Sequence, residues 1–120
     1  MTHAGDTLAT NQVIDVVLRK PQPETMLLYA GEHDMAHPYL SPVYGDLSLG
    51  FPPTILVSGT RDMLLSPTVM MHRALRRAGV EADLHVFEAM PHGGLGGASP
   101  EDRELQAEIA RFLSEKLGAI

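Results

Sequence analysis

The stretch that most constrains this chain runs from Thr54 to His92, where the residue pattern changes from strand to helix and back again. Thr54 to Ser58 is β-branched and almost wholly apolar, which suits a strand buried on both faces of a parallel sheet. Gly59 allows a tight exit towards Asp62. Ser66 fits an N-cap, Pro67 the first helical position and Gly79 the C′ position, so the spacing predicts a helix over 66–78. That helix would place Met71, Leu75 and Ala78 along one face, with Arg73, Arg76 and Arg77 mostly outward and favourable to the helix dipole. Residues 82–88 then alternate, Leu84, Val86 and Glu88 against Asp83, His85 and Phe87, as in an edge strand with one partly wet face. Strand, helix and strand in this order make a parallel βαβ unit with a right-handed crossover.

The flanks add two helices. Pro23 opens and Gly31 closes a short helix over 24–30. The last helix, over 100–117, starts with Ser99 as N-cap, Pro100 at N1 and two acids in its first turn. Leu105, Ile109, Phe112, Leu113 and Leu117 recur along it at helical spacing. Residues 1–12 show no period that would bury a face. Val13 to Leu18 is apolar but too short to tell strand from helix turn, and the Pro-containing run Lys20 to Pro23 breaks it. A long loop, rich in Pro, Gly, Tyr and Ser, fills 32–53. The chain therefore reads as one α/β domain over 1–120, with a loop-rich pocket or cap-side segment over 1–53 and a βαβα unit over 54–120.

Charge narrows the partners. Nine basic against fifteen acidic side chains give a net charge of -6, which disfavours nucleic acid and anionic membrane surfaces. The absence of cysteine removes disulfides and thiolate metal sites and fits a cytoplasmic setting. The first residues lack the basic and apolar stretches of a signal peptide, and no apolar run reaches the length of a membrane span.

Two polar residues stand at the ends of the two strands: Asp62 after the first and His92 after the second. Ligand chemistry in open α/β sheets collects beyond the carboxyl ends of strands. An acid followed by a histidine in that chain order suggests the last two members of a Ser…Asp…His triad, the carboxylate fixing the imidazole and stabilising its charged form. Taken singly, each also suits an ordinary turn or loop. Met63 and Met90 flank the pair and serve most simply as core filling.

Several segments together resemble the C-terminal portion of the hormone-sensitive-lipase-like esterases, an α/β-hydrolase family: SPVYGDL, FPPTILVSGTRDMLLS, RRAGVEADLHVFEAMPH and the closing helix, with GDTLATN and YAGEHD earlier. The resemblance covers nearly the whole chain and is most specific at G-T-R-D and M-P-H. It implies a partial α/β-hydrolase fold, with Asp62 as triad acid and His92 as general base. It implies short or medium acyl esters as substrates and no cofactor. One departure is Gly93-Gly94-Leu95-Gly96-Gly97, which stands where the family carries an aromatic residue after the histidine.

The family's G-x-S-x-G nucleophile elbow and H-G-G-G oxyanion motif do not occur in these 120 residues. Ser48 and Ser99 each match one glycine of the elbow, and neither sits between a strand and a helix. The expectation is a chain that supplies Asp62 and His92 to a serine located elsewhere and is inactive by itself. A non-catalytic alternative is a module that forms homo-oligomers through exposed strand edges. A third is a zinc hydrolase through His33 and His37, since His33-Asp34-Met35-Ala36-His37 imitates H-E-x-x-H. Gly31 before it and Pro38 after it oppose the helix that this signature needs, so no metal site is expected. The remaining histidines, His3, His72 and His85, have no partner identifiable from sequence.

Overall fold

A computed structural model describes residues 4–20 and 22–118. His3, named above, and Pro21, within the run Lys20 to Pro23, lie outside the described residues. In chain order the elements are α1 (Thr7–Thr10), α2 (Pro23–Ala30), a 3-10 turn (Pro42–Tyr44), β1 (Thr54–Gly59), α3 (Leu65–Arg77), β2 (Ala82–Phe87) and α4 (Pro100–Leu117). The strands pair in parallel, Thr54 opposite Ala82 through to Gly59 opposite Phe87. The βαβ unit and the two flanking helices therefore form as the residue pattern predicts, with bounds shifted by a residue or two. The 1–12 segment, which shows no period, contains α1, a single short turn held by tertiary bonds rather than by a buried face.

The start of α3 differs from expectation. Ser66 does not cap it; the helix begins at Leu65 with Leu64 at the N-cap position. Its orphan amides are satisfied otherwise. Leu65 donates to the Asp62 carbonyl at 3.2 Å, Ser66 to Thr7 Oγ1 at 2.8 Å, and Pro67 has no N–H to place. The Ser66 hydroxyl instead accepts the Thr7 amide at 3.1 Å, so two segments 59 residues apart cap each other. At the far end, Val80 donates to the Leu75 carbonyl and Gly79 to that of Arg76, the paired bonds of a Schellman motif. α4 is capped as expected: Ser99 Oγ accepts the Asp102 amide at 3.1 Å while Asp102 accepts that of Ser99 at 3.1 Å.

The core lies where α3 crosses the sheet. Leu75, fully buried, packs with Leu47, Ala74 and Ala82, and Leu56, Met71, Ala78 and Val80 close around them. Met71, Leu75 and Ala78 thus share the inward face, and the three arginines are exposed. β1 is not buried on both faces: Ile55, Leu56 and Val57 are half-buried. Among the described residues the sheet has two strands, so β1 has a neighbour on one edge and lacks the flanking strands that would enclose it. On β2 the exposed positions are Asp83 and apolar Val86, while His85 is half-buried beside Glu108 of α4.

The chain is correspondingly open. Its radius of gyration is 15.5 Å, against about 13.6 Å for a compact chain of this length. Its accessible surface is 7833 Å², against about 6300 Å² for a monomer of this mass. Much of the excess is apolar, with Val13, Val16, Leu28, Tyr29 and Leu49 each at least 74 % exposed. No helix among the described residues is long and apolar enough to cross a membrane.

Candidate active site

β1 and β2 run side by side in the same direction, so the loops that leave their carboxyl ends begin as neighbours. Three hydrogen bonds, two between backbones and one to a side chain, then cross between them. Thr60 donates to the Phe87 carbonyl at 3.0 Å, Arg61 to that of Met90 at 3.1 Å, and Thr60 Oγ1 accepts the Ala89 amide at 2.7 Å. Ala89 sits at φ 60, a left-handed geometry that the side chain of Thr60 helps to fix. This stitching carries the residues after β1 and after β2 to the same place.

Asp62 and His92 meet there. His92 Nδ1 lies 3.2 Å from Asp62 Oδ1 and 3.3 Å from Oδ2. The Asp62 side chain is 4 % exposed and that of His92 38 %. The carboxylate is further held by the Ser58 hydroxyl, which donates to Oδ2 at 2.8 Å, and by the Leu64 amide, which donates to Oδ1 at 2.7 Å. An imidazole engaged through Nδ1 has Nε2 left over for a second proton partner. Beside the pair is a half-open cleft of about 250 Å³, lined by Val43, Leu56, Leu64, Pro67 and Met71 as well as by Asp62 and His92.

Two acids that the sequence pattern does not single out organise the surroundings. Asp102 receives the amides of Leu95 at 3.0 Å, Gly97 at 3.1 Å and Ser99 at 3.1 Å, which folds the glycine-rich loop after His92 onto the start of α4. Those amides, Leu95 first and then Ser99, hold its carboxyl below the usual value despite burial. Gly94, at φ 79, passes so close that a methyl group there would overlap Asp102 Oδ1. Asp15 is the second: its carboxylate accepts the Met63 amide at 2.9 Å and those of Val17 and Leu18 at 3.0 and 3.1 Å. Burial alone would raise Asp15, but the amides of Met63, Leu18, Val17 and His92 outweigh it and hold the group below the ordinary carboxylate value. Asn11 adds bonds from Nδ2 to the carbonyls of Asp62 at 2.9 Å and Thr60 at 3.1 Å.

The other sequence candidates fall elsewhere. His33 to His37 runs through turns rather than a helix, so the shared face behind the zinc signature does not form. The two rings are 6.3 Å apart between centroids, and His37 Nδ1 accepts the Tyr39 amide. Among the described residues no group of three or more metal-ligating side chains is gathered. Ser48 bonds to Asp46 in an exposed turn, and Ser99 is the cap already described. His72 contacts the Ala82 carbonyl at 3.2 Å, and His85 lies 3.8 Å from Glu108.

Residues 3–95 match the family described as having an alpha/beta hydrolase fold. The chain belongs to that family. Among solved structures, the α/β-hydrolase chain is similar to the esterase E25, with 41 % identity and a TM-score of 0.86 over 96 % of this chain and 36 % of the other. It is similar to an esterase from the bacterial hormone-sensitive lipase family at 31 % identity, with a TM-score of 0.84 over 96 % and 39 % of the two chains. A hormone-sensitive lipase from a metagenome library aligns at 27 % identity and a TM-score of 0.78, over 94 % and 40 %. No curated protein matches the chain. The expected kinship with bacterial hormone-sensitive-lipase esterases is borne out, and this α/β-hydrolase chain spans about two fifths of the length of the structures it matches.

Proposed function

We propose that this chain is the part of a serine carboxylesterase that supplies the acid and the general base, Asp62 and His92. The observation that carries the reading is the contact of His92 Nδ1 with both oxygens of the buried Asp62 carboxylate. In that role Asp62 holds the tautomer with hydrogen on Nδ1, and Nε2 takes the proton of an attacking serine hydroxyl. When the tetrahedral intermediate collapses, the imidazolium returns that proton to the leaving alkoxide. The serine and the oxyanion donors come from outside these 120 residues, so the chain alone is inactive. Short or medium acyl esters fit the apolar lining of the neighbouring cleft. Val43, from the loop-rich 1–53 segment, lines that cleft together with residues of the 54–120 unit, which supports assigning the first segment to the pocket side.

The test joins the chain to the N-terminal remainder of the 41 % identical esterase, which it matches over 96 % of its own length. Hydrolysis of a p-nitrophenyl ester is expected from the assembly, and His92→Ala should lower kcat by about 10⁴-fold or more. Turnover that survives His92→Ala would refute the assignment. Turnover by the lone chain that His92→Ala abolishes would refute its inactivity.

A second, non-catalytic reading rests on the open edge of β1 and the exposed apolar side chains: a homo-oligomer that covers them. Light scattering at micromolar concentration decides it, and a clean monomer would count against it.

A further inference from the structure

Asp15 stands far from the acid in sequence and close to it in space. The residue is 6 % exposed, and its carboxylate sits beneath the loop that carries Asp62. Oδ2 accepts the Met63 amide at 2.9 Å, while Oδ1 serves its own turn through Val17 and Leu18. The Met63 N–H belongs to the same peptide unit as the Asp62 carbonyl, and that carbonyl accepts Asn11 Nδ2 at 2.9 Å. Both polar groups of the Asp62–Met63 peptide are therefore gripped, one by Asp15 and one by Asn11. A peptide plane fixed at both ends fixes the direction in which the preceding Cα presents its side chain.

We propose that Asp15 is a positioning residue: with Asn11 it locks the Asp62–Met63 peptide and so aims the Asp62 carboxylate at His92. The proposal rests on the reading of Asp62 and His92 as acid and base. Asp15 touches neither the imidazole nor the cleft; it acts through the backbone. A carboxylate suits the position because the amides it meets, those of Met63, Val17, Leu18 and His92, are all donors. Asparagine would turn an NH₂ group towards either the Met63 amide or the Val17 and Leu18 amides, donor against donor. Serine keeps an acceptor for its own turn and loses the oxygen that reaches Met63.

Asp15→Asn and Asp15→Ser are compared with the parent in the serine-complemented enzyme. Each variant is expected to keep cooperative thermal unfolding and an ester KM within about twofold, while kcat falls by about 10–100-fold. The low-field proton resonance of the imidazole N–H bound to Asp62 should weaken or vanish in the same variants. Should Asp15→Asn fail to fold, Asp15→Ser decides alone. Unchanged kcat and an unchanged resonance in a folded variant overturn the proposal. Loss of cooperative unfolding in both variants also overturns it, since Asp15 would then be a folding residue without a separate aiming role. A parent enzyme with neither turnover nor the resonance would instead sink the acid–base reading itself, which keeps the two failures apart.

Discussion

Replacing Gly59 by alanine should separate the two loops of the site by a calculable amount. Gly59 closes β1 beside Met90, whose carbonyl accepts the Arg61 amide. A methyl group on Gly59 would stand 2.5 Å from the Met90 carbonyl carbon and 2.8 Å from its Cβ, where ordinary contact starts at 3.4 Å. The blocking atoms include backbone, so rotating a side chain gives no relief, and the Met90 segment must retreat by roughly 0.9 Å or more. Met90 precedes His92 by two residues. A retreat passed along the loop would widen the 3.2 Å contact between Nδ1 and Asp62 to roughly 4 Å, beyond hydrogen bonding. Overpacking of this kind costs about 1–3 kcal/mol, or a fall in Tm of roughly 4–15 °C. In the serine-complemented enzyme the misplacement should lower kcat by about 10²-fold. Circular dichroism melts and the low-field imidazole proton read the two effects independently. A Gly59→Ala protein that melts within about 1 °C of the parent and retains the resonance would refute the reasoning.

Two further outcomes are expected. Asp15 and Asp102 have folded-state pKa values below those of free carboxyls, so their contribution is full above the unfolded value and is lost as pH falls through the folded one. Urea midpoints should hold from pH 7 to about 5 and drop below about pH 4, and Asp102→Asn should flatten that acid limb; an unaltered limb would contradict the assignment. In native-state hydrogen exchange, the Met63 amide should open before the amides of the β1–β2 ladder, because its acceptor Asp15 sits in a segment outside every helix and strand. Equal rates would show that segment to be part of the same cooperative unit.

The elements that were legible in sequence are those whose signals are local. Thr54 to Ser58 and the Ser99–Pro100–Asp102 start carry their own strand and cap chemistry, and both formed where expected. Asp62 and His92 could be paired because parallel neighbours deliver their exits to one side, and the chain places them in contact. What sequence hid depends on partners far along the chain. Ser66 has the composition of an N-cap, yet its hydroxyl is taken by the Thr7 amide, 59 residues earlier. Asp15 interrupts an apolar run too short to assign, and only the return of the Met63 amide gives its carboxylate a task. β1 reads as doubly buried because its composition reflects neighbours that the described two-stranded sheet does not contain.

The mutual capping of Thr7 and Ser66 also sets an order of events. Closing a loop of 59 residues costs about 3.6 kcal/mol of chain entropy before any bond across it forms. The βαβ unit pairs residues 28 apart, about half that separation, which costs about 0.6 kcal/mol less. During synthesis residues 5–15 emerge before 58–66, so the bonds between the two segments wait on the later one. The tether from residues 7–15 beneath the Asp62 loop is thus the contact with the longest loop to close, while the bonds that bring Asp62 to His92 lie within the βαβ unit itself.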